Sequence, residues 1–324
     1  MKVIKLAIAL LLCAGMLCGC EQKNETAEIN SRLLLGFSQL GSESSWRLGN
    51  SESIQKAAKK ADVQLMFDNA NQSQQEQINE IRSFIAYRVD VIAFTPIVEN
   101  GWDNILSEAK KANIPIILVD RFINTADDSL YDAYVGSDFY KEGICAGEFL
   151  LRKADAIKAE HLNVVEISGT EDSTPMRQRY QGFRDAIQND ERISILESVS
   201  GDFLISKGKE CMEYLLKKYK NKINVLYAHN DGMMLGALEA IEEAGYIPGK
   251  DIIIISIDAE QKAIDMLKAG KVNCVVECTP MLGDAVMDLA KKLVDGEKVQ
   301  RVTYSEERMF TEFDNLDNLE PRGY

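Results

Sequence analysis

The chain has 324 residues and an ordinary globular composition, with 46% hydrophobic residues. Its 37 Lys and Arg against 51 Asp and Glu give a net charge of −14, which excludes binding to nucleic acid or anionic lipid through basic patches. The length suffices for one large or two moderate α/β domains.

The N-terminal residues predict export and a lipid anchor. A short positive region precedes an apolar run over 6–12, which is too short to span a bilayer. The run leads to a Leu-Cys-Gly-Cys segment that ends at Cys20 and resembles a bacterial lipobox, in which the last cysteine is acylated. We predict a signal peptide over 1–19, lipidation of Cys20 and a flexible polar tether over 20–31. An ordinary cleaved signal is the alternative.

After the tether, short apolar runs alternate with amphipathic stretches. The apolar runs predict strands over 32–37, 63–67, 90–94, 115–119, 162–167, 193–199, 223–227, 251–257 and 272–277. The amphipathic stretches predict helices such as 46–61, 73–87, 101–112, 176–189, 205–219 and 231–244. Repeated strand–helix–strand units form parallel sheets with helices on both faces. The length favours two doubly wound α/β lobes over one sheet of about ten strands.

Four cysteines lie outside the export signal, namely Cys145, Cys211, Cys274 and Cys278. Cys274 and Cys278 share one predicted strand, about 13 Å apart, which is too far for a disulfide between them. No cysteines have the two-residue spacing typical of zinc sites, and the chain has only two histidines. We therefore predict buried thiols, no metal site and no cofactor.

Polar residues follow several predicted strands, where open parallel sheets bind their ligands. They supply carboxylates, guanidiniums, an amide and an indole: Trp46, Arg47, Asp120, Arg121, Asn230 and Asp258. Carboxylate and amide oxygens accept hydrogen bonds from sugar hydroxyls, and guanidiniums donate to them. An indole ring packs on the apolar face of a sugar. The set therefore predicts a monosaccharide site.

The segment from Gly36 to Arg47 is similar to the opening segment of galactofuranose-binding proteins, which belong to the ribose/galactose-type periplasmic sugar-binding family. Further matches recur along nearly all of the chain after the signal, including Gln77-Ile78, Asp120-Arg121, 200–203, 227–231 and 256–258. The resemblance implies a type 1 periplasmic binding protein fold, with two lobes joined by a three-strand hinge. The implied lobes are 32–134 with 280–303, and 135–279 with 304–324.

The resemblance also implies a role for each candidate residue. The loop and helix start over the ligand comprise Glu43, Ser44, Ser45, Trp46 and Arg47. Asp120 and Arg121 grip two hydroxyls from the first lobe, and the second lobe adds Arg179, Asn230 and Asp258. Asp138 lies near the pocket floor. Arg177 competes with Arg179, because relatives that bind ribose use an arginine there.

Each of these interpretations has a structural alternative. In these alternatives, Asp120 and Arg121 would form a surface ion pair and Trp46 would belong to the core. Arg179 would be a solvated helix residue, and Asn230 would only cap the helix that follows it. The sequence also departs from the family locally, since Ala259 and Glu260 replace the glycine that usually follows the aspartate at 258.

The implied function is that of a lipid-anchored, extracytoplasmic, monomeric binding protein. It captures a monosaccharide by hinge closure and passes it to ABC permease subunits, without contacting nucleic acid. Galactofuranose is the leading candidate, ahead of arabinose, ribose and galactose. The alternatives are a sugar sensor that presents its closed form to a membrane receptor, and a carbohydrate-active enzyme. The chain has no GxGxxG, GxxxxGK[ST], GxSxG or HExxH motif, so we predict no enzymatic activity.

Overall fold

The computed structural model describes residues 32–324. The predicted signal peptide, Cys20 and the tether lie outside the described residues and stay predictions. Between residues 32 and 324, no helix has the length and apolarity needed to cross a membrane.

Twelve strands run through residues 32–324, and most of them are buried on both faces. They are β1 (Leu34–Gln39), β2 (Gln64–Asn69), β3 (Val91–Phe94), β4 (Ile116–Val119), β5 (Ala133–Gly136), β6 (Leu162–Ser168), β7 (Ile193–Ser200), β8 (Val225–Ala228), β9 (Ile253–Asp258), β10 (Cys274–Glu277), β11 (Val302–Tyr304) and β12 (Met309–Thr311). Central strands such as β3, β4, β8 and β9 contain only buried residues, which explains their continuous apolar character.

The α-helices of the described chain connect these strands. They are α1 (Ser45–Lys60), α2 (Gln74–Tyr87), α3 (Asp103–Lys111), α4 (Phe139–Ala156), α5 (Thr174–Ile187), α6 (Ile205–Tyr219), α7 (Asp231–Glu243), α8 (Gln261–Lys268) and α9 (Gly283–Val294). Local sequence fixes several helix starts. The Ser44 side chain accepts a hydrogen bond from the Arg47 backbone nitrogen at 3.1 Å, and Ser73 caps α2 in the same way.

The strands form two six-stranded sheets, as the predicted α/β fold with two lobes requires. The first sheet has the order β11-β5-β4-β3-β1-β2 and the second has the order β12-β10-β9-β8-β6-β7. All strand pairs are parallel except β10 with β12. The strand order reverses beside β1 in the first sheet and beside β6 in the second. Each reversal creates a switch point, which is where α/β sheets bind ligands.

The sequence pattern missed three short strands, β5, β11 and β12. β11 and β12 have only three residues each, and β5 has one β-branched residue and ends in glycine, which weakens its strand signal. The strand predicted over 32–37 lies two residues later in the structure, because polar Ser38 and Gln39 are buried in β1. Pairing with β2 and β3 satisfies the backbone there.

Each sheet is covered on both faces by apolar helix faces. In the first lobe, β1, β3 and β4 pack against α1 and α9 on one side and against α2 and α3 on the other. In the second lobe, one face packs against α4 and α5, and the opposite face packs against α6, α7 and α8. The helices therefore leave only the strand ends of the two sheets free to face each other.

The chain passes between the two sheets three times. It leaves β5 at Gly136 and enters α4, leaves β10 at Glu277 and enters α9, and leaves β11 at Tyr304 and enters β12. The lobe boundaries drawn from the sequence after 134, 279 and 303 stay a prediction, because strand pairing defines sheets rather than domains.

Candidate functional site

The carboxyl ends of the strands in both sheets enclose a cavity of about 310 Å³, counting the part open to solvent. It is lined by Glu43, Ser44, Trp46, Arg47, Asp120, Arg121, Phe139, Pro175, Arg179, Phe203, Asn230, Asp258 and Cys278. Its lining combines charged, amide and aromatic side chains, which suits one small polar ligand.

Arg47 pairs with two carboxylates of the first lobe. Its Nη2 lies 2.7 Å from Asp120 Oδ2, and its Nε lies 3.1 Å from Glu43 Oε1. Burial opposes ionisation of Glu43, but Arg47 and then Arg121 outweigh it and hold the pKa of Glu43 below its usual value. Arg47 therefore bridges two buried carboxylates at the cleft wall and stabilises their charges.

Arg121 is the less compensated guanidinium. Its Nη1 donates to Ile97 O at 3.0 Å, but Glu43 and Asp120 lie 3.9 Å from its other nitrogens. Burial, and then repulsion from Arg47, lowers the pKa of Arg121 to about 10. Within the described part of the chain, Arg121 Nε and Arg47 Nη1 have no hydrogen-bond acceptor. Buried donors of this kind indicate a bound acceptor, such as a hydroxyl oxygen.

Arg179 has the corresponding position in the second lobe. Its Nε donates to Glu142 Oε2 at 2.6 Å, its Nη1 donates to His229 O at 2.6 Å, and its Nη2 lies 3.7 Å from Asp258 Oδ1. The carboxylates outweigh burial and raise the pKa of Arg179 well above its usual value. Burial raises the pKa of Asp258, and neighbouring carboxylates add to the shift despite Arg179.

Two glycines let α4 and α5 approach closely enough to place Arg179 against Glu142. A Cβ atom at Gly182 would lie 2.1 Å from Tyr140 O, and one at Gly143 would lie 2.5 Å from Arg179 O. Any larger residue would separate the two helices. Neither Glu142 nor this helix contact was predicted, because α4 was not assigned from the sequence.

The backbone is strained where the key carboxylates stand. Asp120 has φ of +64°, Asp258 has φ of +123° and Ala259 has φ of +63°. Non-glycine residues avoid this region at a cost of roughly 1–3 kcal/mol each, and such strain concentrates at functional sites. The φ at 259 also explains physically why glycine suits the position that Ala259 occupies here.

Glu260 connects the two lobes behind the cavity. Its carboxylate accepts hydrogen bonds from Ser45 Oγ at 2.6 Å and from the Trp46 backbone nitrogen at 3.0 Å. A carboxylate is stabilised at the start of a helix, which here is α1. Ser45 is thus bonded to the opposite lobe and does not line the cavity. Trp46 lines the cavity and also donates from its indole to Cys278 O at 2.6 Å.

Three further candidates have mixed outcomes. Asn230 lines the cavity and also caps α7, accepting from Met233 N at 2.9 Å. Asp138 caps α4 and lies in a side cavity next to the hinge, away from the cleft lining. Arg177 is 60% exposed and pairs with Glu99 across the cleft mouth, whereas Arg179 is buried in the cleft wall. Of the two competing arginines, the structure therefore places Arg179 in the cleft.

The sequence analysis selected Trp46 but missed two other aromatic residues of the cavity wall. Phe139 and Phe203 line it, and guanidiniums lie over both rings, with Arg179 Cζ 5.2 Å from the Phe139 centroid and Arg121 Cζ 5.4 Å from the Phe203 centroid. Phe203 is the last residue of the matched 200–203 segment, which was the available signal. Phe139 begins α4 three residues after the end of β5, and neither element was predicted.

The loop that supports Arg121 depends on a buried glutamine in α2. Gln77 Nε2 donates to Thr95 O at 2.7 Å, and Gln77 Oε1 accepts from Ile97 N at 3.2 Å. We expect Gln77→Leu to lower the free energy of unfolding by about 2 kcal/mol, because both backbone groups lose a buried partner. Urea denaturation measures the change. Gln75→Leu on the exposed side of α2 is the matched control, and an equal loss in both variants would contradict this role.

Comparison with known proteins gives three further findings. The model of the periplasmic binding protein domain matches residues 35–298. The chain is 40% identical to the galactofuranose-binding protein YtfQ of Escherichia coli K12, over 90% of this chain and 93% of that protein. A Mycobacterium smegmatis structure in complex with β-D-fucofuranose is 44% identical with a TM-score of 0.84, covering 86% of this chain and 91% of that one.

A second solved structure has a similar fold and a different sugar. The periplasmic component of the arabinose ABC transporter from Shewanella sp. ANA-3, bound to α- and β-L-arabinofuranose, is 40% identical with a TM-score of 0.83. The match covers 86% of this chain and 92% of that one. The resemblance to galactofuranose-binding proteins and the predicted fold class are thereby confirmed.

Proposed function

The chain belongs to the periplasmic binding protein family, and on that premise we propose that it captures a furanose-form monosaccharide for an ABC importer. The main support for this proposal is the cleft, where two buried arginines retain free donor atoms beside carboxylates and aromatic rings. Similar proteins whose structures contain fucofuranose and arabinofuranose support the furanose ring form.

The cleft has complementary chemistry for adjacent sugar hydroxyls. Arg121 Nε donates to one hydroxyl oxygen, and Asp120 accepts from its neighbour, as expected for a carboxylate–guanidinium pair that recognises a diol. Arg179 and Asp258 repeat this arrangement from the second lobe. Phe203 supplies the apolar surface for the ring carbons. A ligand that lacks one hydroxyl leaves a buried polar group unpaired, which makes the site selective.

Sugar binding is coupled to closure of the two lobes, which changes the surface that the protein presents to the permease. The described structure is closed at the mouth, where Phe122 N donates to Thr174 Oγ1 at 3.1 Å and Thr174 Oγ1 donates to Phe122 O at 3.0 Å. A sugar that contacts both lobes favours this form by its differential affinity for it. The permease subunits distinguish the closed surface from the open one.

The cellular part of the proposal depends on the N-terminal sequence. The apolar run over 6–12 and the cysteine at Cys20 support acylation, with the lobes held on the extracytoplasmic face by the 20–31 tether. The protein binds without turnover, which agrees with the binding proteins it resembles. Uptake of labelled sugar that persists after deletion of the chain would contradict the import role and favour sensing.

A ligand panel tests the ring form directly. Methyl furanosides and methyl pyranosides of galactose and arabinose are locked in one ring form, so each reports on one shape. At a hundredfold excess over Kd, a bound ligand stabilises the native state by about 2.7 kcal/mol. That corresponds to a rise in Tm of several degrees for a chain of this size. We expect the furanosides to raise Tm and the pyranosides to leave it unchanged. If the pyranosides raise Tm and the furanosides do not, the furanose assignment is wrong. If no ligand in the panel raises Tm, sugar binding itself is contradicted.

The contact between Glu99 and Arg177 yields a smaller prediction. This pair spans the lobes and Arg177 is 60% exposed, so it stabilises closure without touching the ligand. We expect Glu99→Ala and Arg177→Ala each to weaken sugar binding roughly two- to fivefold, as for a partly exposed ion pair. Calorimetry on both single variants and the double variant measures the coupling. If Arg177 contacts the sugar instead, Arg177→Ala alone would lose far more affinity than Glu99→Ala.

A further inference from the structure

All three connections between the lobes meet at one carboxylate. Glu307 Oε1 accepts hydrogen bonds from the Ser137 hydroxyl and, at 3.1 Å, from the Thr279 backbone nitrogen. Ser137 lies between β5 and α4, Thr279 follows β10, and Glu307 lies between β11 and β12. The Ser137 hydroxyl is also 3.2 Å from Cys278 Sγ. The Glu307 side chain therefore links the crossings in addition to backbone hydrogen bonds, which run from Ser305 N to Gly136 O at 2.8 Å and from Glu277 N to Arg308 O at 2.7 Å.

A group of metal-type donors converges at this point. One donor atom each from Glu142, Cys278 and Glu307, which we term the hinge cluster, lies within 4.8 Å of the other two. Between residues 32 and 324, no second group of three such side chains converges in this way. Sequence spacing did not indicate it, because the three residues come from different connections of the hinge.

Glu142 supplies an independent indication that a ligand belongs here. Its side chain is 2% exposed, and its Oε2 accepts from Arg179 Nε at 2.6 Å. Among the described residues, no donor reaches Glu142 Oε1, although this atom is fully buried. A buried carboxylate oxygen without a partner is costly, so it marks a place where a cation or a donor is expected.

The donor chemistry selects the cation. A thiolate with two carboxylates suits Zn²⁺, whereas Mg²⁺ and Ca²⁺ prefer oxygen alone. When ionised, the hinge cluster carries three negative charges against the single positive charge of Arg179, so a divalent ion balances the group. We propose that the hinge cluster binds one Zn²⁺ ion through Glu142, Cys278 and Glu307. The Cys278 thiol releases its proton as the ion binds.

The geometry requires only a modest adjustment. Tetrahedral zinc with sulfur and oxygen ligands places the donor atoms about 3.5 Å apart, so side chains now within 4.8 Å need to approach by about 1 Å. Ser137 or a water completes the fourth position. Glu142 keeps its bond to Arg179 through the other oxygen, as carboxylate ligands of metals commonly do with a second partner.

A route from solvent reaches the hinge cluster without passing through the sugar cleft. A side cavity of about 560 Å³, counting its open part, is lined by both carboxylates of the cluster and by Asp138 and Cys145, among others. Zinc therefore has an entry path in the closed form. A bound ion would fix the three crossings relative to one another and so alter closure around the sugar, and the sugar would alter zinc affinity to the same extent.

Zinc alone is the probe for the first test. We expect protein stripped with a chelator to bind one Zn²⁺ per chain by calorimetry, with no comparable heat from Mg²⁺ or Ca²⁺. Cd²⁺ should produce the ultraviolet thiolate-to-metal charge-transfer band, which a carboxylate-only site does not give. Absence of zinc binding, or binding without that band, overturns the proposal. Neither result depends on sugar binding, which the furanoside panel measures separately.

Variants separate the hinge cluster from adventitious zinc. Glu307→Gln keeps the acceptor for Ser137 and Thr279 but loses the anionic ligand, and we expect it to weaken zinc binding more than about tenfold. Cys278→Ser should also abolish the cadmium band. Cys145→Ser, which alters the side cavity only, is the matched control and should bind zinc normally. If Cys145→Ser lowers zinc affinity as much as the cluster variants do, the ion binds elsewhere and the proposal is contradicted. The same holds if both cluster variants keep their zinc affinity. Melting curves establish that each variant is folded.

Discussion

Replacing Arg121 with Met is expected to weaken sugar binding by at least about 100-fold without destabilising the unliganded protein. The loss follows from the free Nε donor of Arg121, a buried residue that lines the cavity. Truncating one partner of a buried, charge-assisted hydrogen bond typically costs about 2–5 kcal/mol of binding energy. Methionine matches the unbranched arginine stem as far as Nε and has no donor there, so the variant keeps the apolar stem but loses the guanidinium over Phe203.

The unliganded variant is expected to keep its stability because the charge of Arg121 is disfavoured in the fold. The pKa of Arg121 is lowered from its usual value to about 10, so the fold disfavours its charge relative to the unfolded chain. A difference of that size corresponds to about 3 kcal/mol at neutral pH. The variant loses the bond from Nη1 to Ile97 O, which offsets about 1 kcal/mol of the gain. We therefore expect the free energy of unfolding to stay level or rise.

Calorimetry with the active furanoside measures the sugar affinity. Urea denaturation without sugar measures the free energy of unfolding. Arg82→Met is the matched control, because Arg82 pairs with Glu108 on the exposed surface and should affect neither quantity. An Arg121→Met protein that binds sugar normally would remove Arg121 from the ligand site. A protein that loses affinity only because it unfolds would show Arg121 to be structural.

The sequence predicted the cleft residues well where they follow long strands. Asp120, Arg121 and Asp258 come at the ends of buried strands whose apolar runs were visible, and parallel pairing then brings them to a common edge. Arg179 was selected only because the chain resembles a known family, since nothing in the pattern of α5 separates it from Arg177. Exposure separates them in the structure, at 3% for Arg179 and 60% for Arg177.

What the sequence could not predict depends on contacts between distant segments. Glu142 lies in the first turn of a helix with no strand-end signal, yet it is the main partner of Arg179. Glu260 stood out only as a departure from the family, and its partners belong to the start of α1. Glu307 follows a three-residue strand. Their roles arise from the hinge geometry, which no local periodicity encodes.

Arg47→Met is expected to have the opposite outcome to Arg121→Met, with a loss of about 3–5 kcal/mol in the free energy of unfolding. Arg47 is bonded to both Glu43 and Asp120, at 3.1 and 2.7 Å, and all three side chains are at least nine-tenths buried. Removing the cation leaves two carboxylates buried without adequate compensation, because Arg121 stays 3.9 Å away. Breaking a buried ion pair from one side has a penalty of this size.

The pH dependence of the same variant provides the sharper test. Arg47 holds the pKa of Glu43 below its usual value, so its stabilisation is present above the ordinary glutamate pKa and is lost as the pH falls through the lowered one. In Arg47→Met the buried carboxylates are relieved by protonation instead. The stability gap between the two proteins should therefore narrow as the pH falls from neutral towards 4. Urea denaturation at several pH values measures the gap, and Arg47→Met combined with Asp120→Asn should recover part of it at neutral pH. A gap that is independent of pH would mean that Arg47 stabilises the first lobe by packing on Trp46 rather than by charge.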